Sequence, residues 1–436
     1  MAVKKVVVAG ATGLVGGAAL RHFGGTAGCE VIALSRRKPR QLYGARHVSV
    51  DLTVPAQCRQ AAPEMQGATH LVYAALYEAP NLVDGWRDQD QIRTNDEMLR
   101  NLMAVLEPAA PSLKHVALLQ GTKAYGVHVR PLNVPAREGR SEMYQQPNFY
   151  WAQENFLRGL QQGKAGLGKT WHWSILRPVL IVGEAIGGAM DLIPPLGVYA
   201  AMLRQQGRAL DYPGGAARVS QGVDVDLLAR AIAWSGEAEA AHNEAFNVTN
   251  GDVFTWENVW PAISEALDMK PGGAVPLSLV ESWPQWIAPW DALRREHDLI
   301  APGLEAFVGL SFQYADYTMR YGQTEPGPPS IVSTVKINQA GFTEMMDTEK
   351  NVPQMVQPGA GEPVVAIDIQ RGDENAASIA FRVLMVSFAA SISTSLHVTT
   401  APCVTSFFSF TRWARPIGSA PALRLAAAGI SLPHTV

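Results

Sequence analysis

Short apolar runs alternate with longer amphipathic stretches through the first half of the chain. The first run, KKVVVAG, ends at Gly10, and the residues GGAALRHF that follow the next turn have helical spacing. Later runs of the same kind are CEVIALS, HVSVDL, THLVYAAL, KHVALLQ and WHWSILRP. Buried strands that alternate with helices are typical of an α/β fold, so we predict a doubly wound parallel sheet.

The later pattern predicts a smaller, mostly helical lobe. The chain is expected to leave the sheet at Pro178, because proline cannot donate a hydrogen bond to a neighbouring strand. VDVDLLARAIAWS predicts a sheet-edge strand and an amphipathic helix, and EAFNV predicts a strand that returns to the sheet. Thr255 is expected to cap a further helix. Met190 and Tyr199 suit either a pocket wall or the core.

Composition narrows the class of protein. The chain has 436 residues, 47% of them apolar, which suffices for more than one lobe around a buried core. The net charge of −3, with basic residues spread along the chain, gives no footprint for nucleic acid. Three cysteines without regular spacing predict neither disulfides nor a zinc site, and we expect no metal. The short N-terminal apolar run does not resemble a signal peptide, so a cytoplasmic location is expected.

The first turn of the chain has the pattern of a phosphate-binding loop. Gly10, Gly13 and Gly16 stand at GxxGxxG spacing between the first strand and its helix. Gly10 permits a tight turn, Gly13 lets the backbone approach a pyrophosphate, and Gly16 lets the helix pack close to the strand. The helix N-terminus then faces the anion, which predicts a dinucleotide site.

Two arginines at the end of the second strand indicate which dinucleotide binds. A site for NAD usually has a carboxylate there to accept from the ribose 2′-hydroxyl. Here the strand ends in Ser35, followed by Arg36 and Arg37. Two guanidinium groups suit a 2′-phosphate, so we predict NADPH/NADP+. A solvated basic turn is the alternative.

Further cofactor contacts are expected where the third and fourth apolar runs end. Asp51 and Leu52 close the third run, where an Asp commonly lies beside the adenine ring; a turn or capping role for Asp51 is equally open. Ala74 and Ala75 close the fourth run, and small residues at this position leave room for the cofactor.

The stretch NFYWAQENF raises the question of catalysis. Many short-chain dehydrogenases use a Tyr with a Lys four residues later, but Tyr150 is followed at that spacing by Glu154. Lys123, in GTKAYG, follows a buried strand at the sheet edge where a cofactor should lie. Without further evidence the favoured interpretation of Tyr150 is an aromatic residue that packs on the sheet. We expect Glu154 to lie at the surface or behind the site, because a nearby carboxylate would oppose an enolate.

The combination of these motifs resembles one family. The glycine loop, SRRKP, RTNDEMLRNL, LLQGTKAYG, NFYWAQE and SILRPVLIVG are similar to the progesterone 5β-reductase/iridoid synthase-like (PRISE) enone reductases, which are atypical extended short-chain dehydrogenases. The similarity covers residues 4–350. It implies a Rossmann fold, with Tyr150 and Lys123 as the catalytic pair, and NADPH-dependent 1,4-reduction of small enones or 3-oxo-Δ4-steroids.

This interpretation predicts three regions and a set of cofactor contacts. Residues 1–178 form the NADP-binding domain, 179–350 the substrate lobe, and 351–436 an extension expected to be poorly ordered. A small-molecule enone is the expected partner, and a homodimer is one open assembly. The predicted cofactor-binding residues are Gly10, Thr12, Gly13, Leu14, Val15, Ser35, Arg36, Arg37, Asp51, Leu52, Ala74, Ala75, Lys123 and Tyr150.

Two alternatives and one departure from the family stay open. A sugar-nucleotide epimerase or carbonyl reductase would need Lys where Glu154 stands, and a non-catalytic NADP sensor commonly lacks both Tyr and Lys.

The family pattern fails after Lys350, where relatives continue a final helix. From Asn375 to Val436 there is no Asp or Glu, for which a shifted reading frame is one explanation. The uncharged run 383–410 contains Ser, Thr and Pro402, which argues against a membrane span.

Overall fold

The computed structural model describes residues 4–80, 85–163, 169–183, 185–297, 299 and 301–356. The predicted extension therefore lies outside the described residues except for 351–356, and the uncharged run 383–410 lies outside them entirely.

Seven parallel strands form the central sheet, in the spatial order β10-β6-β5-β4-β1-β2-β3. Two further sheets have two strands each, β7 with β9 and β8 with β11. The predicted doubly wound α/β fold is confirmed. The strands are β1 (Lys4–Ala9), β2 (Cys29–Ser35), β3 (Arg46–Ser49), β4 (His70–Tyr73), β5 (His115–Leu119), β6 (His172–Pro178), β7 (Leu180–Val182), β8 (Leu210–Tyr212), β9 (Gly222–Asp224), β10 (Glu244–Val248) and β11 (Pro271–Ala274).

Helices cover both faces of the central sheet and build the smaller lobe. The α-helices are α1 (Leu14–Gly24), α2 (Pro55–Ala61), α3 (Gln89–Ala109), α4 (Phe149–Gln162), α5 (Ile193–Gln205), α6 (Val225–Ser235), α7 (Trp256–Ala266), α8 (Leu279–Ser282), α9 (Ile287–Glu296), α10 (Leu304–Val308), α11 (Ser311–Thr318), α12 (Val335–Gln339) and α13 (Thr348–Val356). Short 3-10 turns lie at Ala62–Met65, Thr122–Tyr125, Glu239–Ala241 and Trp283–Trp286.

Apolar burial explains why these segments pack as they do. Helices α3 and α4 place Leu99, Leu102 and Leu157 against one face of the sheet. Helices α1 and α6 place Leu20 and Leu228 against the other. Each such side chain contributes about 1.5–3 kcal/mol when fully buried. A third cluster, built on α5, α7 and α9 to α11, forms the core of the lobe.

Two details of the predicted strands are wrong. Strand β3 ends at Ser49, because Asp51 is drawn into a turn by hydrogen bonds to its carboxylate from Thr53. Strand β9 pairs with β7 instead of lying at the edge of the central sheet.

The last described helix crosses the point where the family pattern fails. Helix α13 continues past Lys350 to Val356, and its residues Asn351 and Val352 are buried. The Asn351 amide donates to Asp224 Oδ2 over 2.7 Å. Asp224 also caps α6 through its other carboxylate oxygen. The first residues beyond the family pattern are therefore integrated with the sheet through this cap.

Candidate active site

A long crevice lies at the carboxyl ends of β1, β2 and β4, where the strand order reverses direction. Its volume of about 630 Å³ is in the range of small-molecule sites. Every predicted cofactor residue except Lys123 lines it. These residues are Gly10, Thr12, Gly13, Leu14, Val15, Ser35, Arg36, Arg37, Asp51, Leu52, Ala74, Ala75 and Tyr150.

The glycine loop closes one side of the crevice. Gly10 has φ +84°, and a Cβ there would lie 2.7 Å from backbone atoms of Ala74 and Ala75. The Gly13 amide donates to Gly10 O over 2.9 Å, and Gly13 is the N-cap of α1. The first turn of α1 contains no acidic residue. The loop therefore leaves a positive helix terminus open to an anion, which fits a pyrophosphate.

We expect Gly10→Ala to weaken dinucleotide binding and to destabilise the fold by about 1–3 kcal/mol, because the methyl group meets fixed backbone and φ is positive. Gly17→Ala is the matched control: a Cβ there meets nothing within 4 Å. Thermal unfolding and NADPH titration of both variants check this prediction. Equal behaviour of the two variants would contradict it.

The end of β2 presents the two predicted arginines to solvent. Ser35 Oγ donates to Arg37 O over 2.6 Å, and Ser49 Oγ donates to Arg36 O over 3.2 Å. These bonds fix the backbone of the turn while both guanidinium groups stay exposed at the crevice. Asp51 lines the crevice and is also a turn residue. Burial opposes its ionisation, but the Thr53 hydrogen bonds hold its pKa below the ordinary value.

Asn148 joins the two predicted catalytic segments. Its Oδ1 accepts from the Tyr150 amide over 3.0 Å and so caps α4. Its Nδ2 donates to Lys123 O over 3.3 Å, which ties the GTK turn to the helix start. A Cβ on Gly121 would lie 3.3 Å from the Tyr150 hydroxyl oxygen. The GTK turn therefore passes directly beside this hydroxyl.

The Tyr150 phenol is a neutral hydrogen-bond donor. Its side chain is buried against the rings of Phe149 and Trp86, with centroids 4.8 and 5.4 Å away. Burial raises the pKa of Tyr150 well above the ordinary value, and the charge of Glu78 raises it further, while Arg177 opposes the shift. At neutral pH the hydroxyl keeps its proton and can donate it to an oxygen in the crevice.

Lys123 lies beside an adjoining cavity and contacts an aromatic ring. Its Nζ lies 3.7 Å from the centroid of Trp86 and 3.5 Å from Met190 Sδ. Trp86 Nε1 in turn donates to Glu78 Oε1 over 2.7 Å. Within the described residues, no hydrogen bond joins Lys123 to Tyr150. Trp86 thus holds the ammonium, the Glu78 carboxylate and the Tyr150 ring in one cluster.

The pKa of Lys123 is shifted towards neutral pH. Burial lowers the pKa of Lys123 to about 8, and the charge of Glu78 opposes this shift. Burial also raises the pKa of Glu78, whose Oε2 has no hydrogen-bond partner among the residues that the structure describes. His128 faces the same cavity; burial and then the charges of Lys123 and Arg87 lower its pKa to about 4, so it is neutral.

Glu154 is part of a buried ion-pair network, so of its two expected positions the one behind the site is confirmed and the one at the surface is wrong. Its side chain is 4% exposed, and that of Arg177 is 1% exposed. Glu154 Oε2 lies 3.4 Å from Arg177 Nη2 and accepts from Gln120 over 3.0 Å. Its Oε1 accepts from Arg158 Nε over 2.9 Å. Gln120 also donates to Tyr150 O, so the network supports α4 from behind the site.

Comparisons with known proteins agree with this architecture. A family model described as a PRISE-like Rossmann-fold domain matches residues 51–310. The chain belongs to this family. The resemblance predicted from the sequence motifs is therefore confirmed.

Curated relatives of this PRISE-like protein include plant enzymes. An (S)-8-oxocitronellyl enol synthase of Antirrhinum majus is 28% identical over 364 residues, which cover 79% of this chain and 88% of that protein. A 3-oxo-Δ(4,5)-steroid 5-β-reductase of Arabidopsis thaliana is 29% identical over 318 residues, which cover 69% and 79%. These relatives agree with the prediction that the chain is an oxidoreductase.

Solved structures with a similar fold include an extended short-chain epimerase. A UDP-glucose 4-epimerase of Bifidobacterium longum, in complex with NAD+ and UDP, has a TM-score of 0.56 and 14% identity. The matched region covers 81% of this chain and 97% of the epimerase chain. At this identity the comparison shows the fold alone.

Sequence reasoning missed three residues of this PRISE-like protein's site: Glu78, Trp86 and Arg218. Glu78 follows the small residues Ala74 and Ala75 after β4, and this position is the one feature of the sequence that could have indicated its place in the site. Trp86 and Arg218 lie in irregular segments without a periodic pattern. Of the two candidates for the pocket wall, Met190 borders both cavities, whereas Tyr199 is buried in the lobe core and donates to Asp211 O over 3.0 Å.

No helix among the described residues is long and apolar enough to cross a membrane.

Proposed function

We propose that this protein is an NADPH-dependent enone 1,4-reductase. The observation that carries the proposal is the neutral Tyr150 hydroxyl, which lines the same crevice as the glycine loop and the paired arginines. The names of the relatives support reduction of an unsaturated carbonyl compound. We infer that small enones or 3-oxo-Δ4-steroids are the substrates.

Conjugate reduction requires a donor at the substrate carbonyl oxygen. Bound NADPH would supply the hydride, which the β-carbon receives. Negative charge then develops on the carbonyl oxygen as an enolate. Tyr150 donates its hydroxyl proton to a hydrogen bond with that oxygen, which lowers the barrier because the donor is already in place. The α-carbon later takes a proton, and solvent is its final source.

Lys123 acts on this donor from the adjoining cavity. Its ammonium adds positive charge next to the developing enolate. Trp86 restrains the ammonium through its ring face and contacts the Tyr150 ring at its edge. Glu78 keeps the ammonium protonated over a wider pH range. We propose that Lys123 also hydrogen-bonds the cofactor ribose.

The substrate class can be tested directly. NADPH oxidation is measured with a cyclic enone, a Δ4-3-ketosteroid, a saturated ketone and a UDP-sugar. We expect consumption with one or both of the unsaturated ketones. Consumption with the saturated ketone alone would favour a carbonyl reductase, and conversion of the UDP-sugar would favour an epimerase. The buried Glu154 counts against both, because those enzymes need Lys at its position.

The cofactor preference depends on the exposed arginines. We expect the double variant Arg36→Ala, Arg37→Ala to lose at least about tenfold of its preference for NADPH over NADH, because charge-assisted bonds to the 2′-phosphate are lost. Arg93→Ala, an exposed arginine on α3, is the matched control. Ratios of kcat/KM for the two cofactors check this, and an unchanged ratio in the double variant would contradict it.

Activity should also depend on pH through Lys123. The protonated fraction falls as pH rises through about 8, so we expect kcat to fall above that value. Glu78→Gln removes a charge that raises the pKa of Lys123 and should move this decline to lower pH. Lys123→Arg keeps its charge and should abolish the decline. A profile that is the same in Glu78→Gln and in the native enzyme would refute the coupling.

A further inference from the structure

The cavity beside Lys123, here called the lobe cavity, is positively charged and mostly aromatic or apolar. Its volume is about 130 Å³, which suits part of a small substrate better than a whole steroid. The described residues that line it include two basic residues, Lys123 and Arg218, and no carboxylate. Trp256, Tyr314 and Leu180 supply flat apolar walls.

Arg218 is a cation without a counter-charge among the described residues. It lies in the segment between β8 and β9, and its Nε is buried and has no hydrogen-bond partner in the described part of the chain. No carboxylate among the described residues forms an ion pair with it. Tyr317, beside it, offers a hydroxyl oxygen and no carboxylate. Leaving a buried donor on a charged group unpaired is unfavourable, so a partner for this guanidinium is expected.

Two other arginines show how this chain usually satisfies such a group. Arg177, which is more deeply buried, is paired with Glu142 and Glu154. Arg320, close to Arg218, donates to the carbonyl oxygens of Ala216 and Glu325. Among the described residues, Arg218 Nε has neither a carboxylate nor a carbonyl oxygen as its partner. The residue lines the lobe cavity.

We propose that the physiological substrate is a small enone that carries a carboxylate group, and that Arg218 binds this carboxylate in the lobe cavity. The inference rests on the proposed reductase function. A carboxylate supplies the counter-charge that the Arg218 guanidinium lacks, and it can accept two of the guanidinium's hydrogen bonds at the same time. Met190 borders both the lobe cavity and the crevice, so one substrate can extend from Arg218 towards Tyr150.

A matched pair of substrates tests this proposal. The probes are a cyclohexenone with a carboxymethyl side chain and its methyl ester, assayed with NADPH at a pH where the acid is ionised. We expect kcat/KM for the acid to exceed that for the ester at least about tenfold in the native enzyme. In Arg218→Gln this acid-to-ester ratio should fall towards one.

Controls separate the possible outcomes. Arg230→Gln removes an arginine that pairs with Glu344 away from the lobe cavity and should leave the acid-to-ester ratio unchanged. Thermal unfolding checks that Arg218→Gln is folded. Reduction of the ester without a preference for the acid, or an unchanged ratio in Arg218→Gln, would overturn the inference while the reductase function stands. If the enzyme reduced neither probe and no other unsaturated ketone, the proposed function itself would be overturned.

Discussion

The variant Tyr150→Phe is expected to reduce enones roughly 100- to 1000-fold more slowly than the native enzyme, because it lacks the hydroxyl that we propose as the donor to the enolate. The aromatic ring stays, so its contacts with Phe149 and Trp86 should persist. NADPH binding and the free energy of unfolding should therefore change little. Single-turnover measurements of NADPH oxidation, with a separate fluorescence titration of NADPH, distinguish the two effects.

A second tyrosine provides the control for this experiment. Tyr199 is buried in the lobe core, and its hydroxyl donates to Asp211 O. Tyr199→Phe removes a hydroxyl group of the same kind and should cost about 1 kcal/mol of stability with little effect on turnover. If Tyr150→Phe turned over at the rate of Tyr199→Phe, Tyr150 would not be the donor.

Glu154→Lys would restore the Tyr-x-x-x-Lys spacing of ordinary short-chain dehydrogenases, yet we expect it to destabilise the protein by about 3–5 kcal/mol. The substitution removes a carboxylate that pairs with Arg177 and Arg158, and it adds a third cation among them. The melting temperature should fall by several degrees, and enone reduction should fall as the start of α4 loses its support from Gln120.

The same change at an exposed position serves as the control for Glu154→Lys. Glu97 lies on α3, is 58% exposed, and is 3.9 Å from Arg93. Because surface ion pairs contribute little, Glu97→Lys should change the free energy of unfolding by less than about 1 kcal/mol. A stable and active Glu154→Lys variant would show that the buried network does not hold α4 in place.

The parts of the site that depend on neighbouring residues could be predicted from the sequence. Gly10, Gly13 and the start of α1 form a local unit, since a strand, a tight turn and a helix follow one another directly. The place of the arginines after β2 could also be predicted, because the carboxyl ends of parallel strands meet at one edge of the sheet.

Contacts between distant segments could not be predicted in this way. Glu154 pairs with Arg177, which lies 23 residues further along the chain, and their common burial follows only from how α4 packs on β6. Lys123 is near the end of β5 as expected, but the direction of its ammonium is set by Trp86, from an irregular segment. Arg218 reaches the lobe cavity from a loop whose path no periodic pattern encodes.

The network around Glu154 also limits how such a protein can evolve. The side chain meets Gln120, Arg158 and Arg177 at the same time, so its effect depends on what stands at those positions. A lineage that placed a lysine on α4 at position 154 while keeping Arg158 and Arg177 would pass through an ancestor with three clustered cations. Replacing Arg177 first would instead remove a partner of both Glu142 and Glu154. Substitutions at position 154 are therefore epistatic, because their effect depends on which residues already stand at positions 120, 158 and 177.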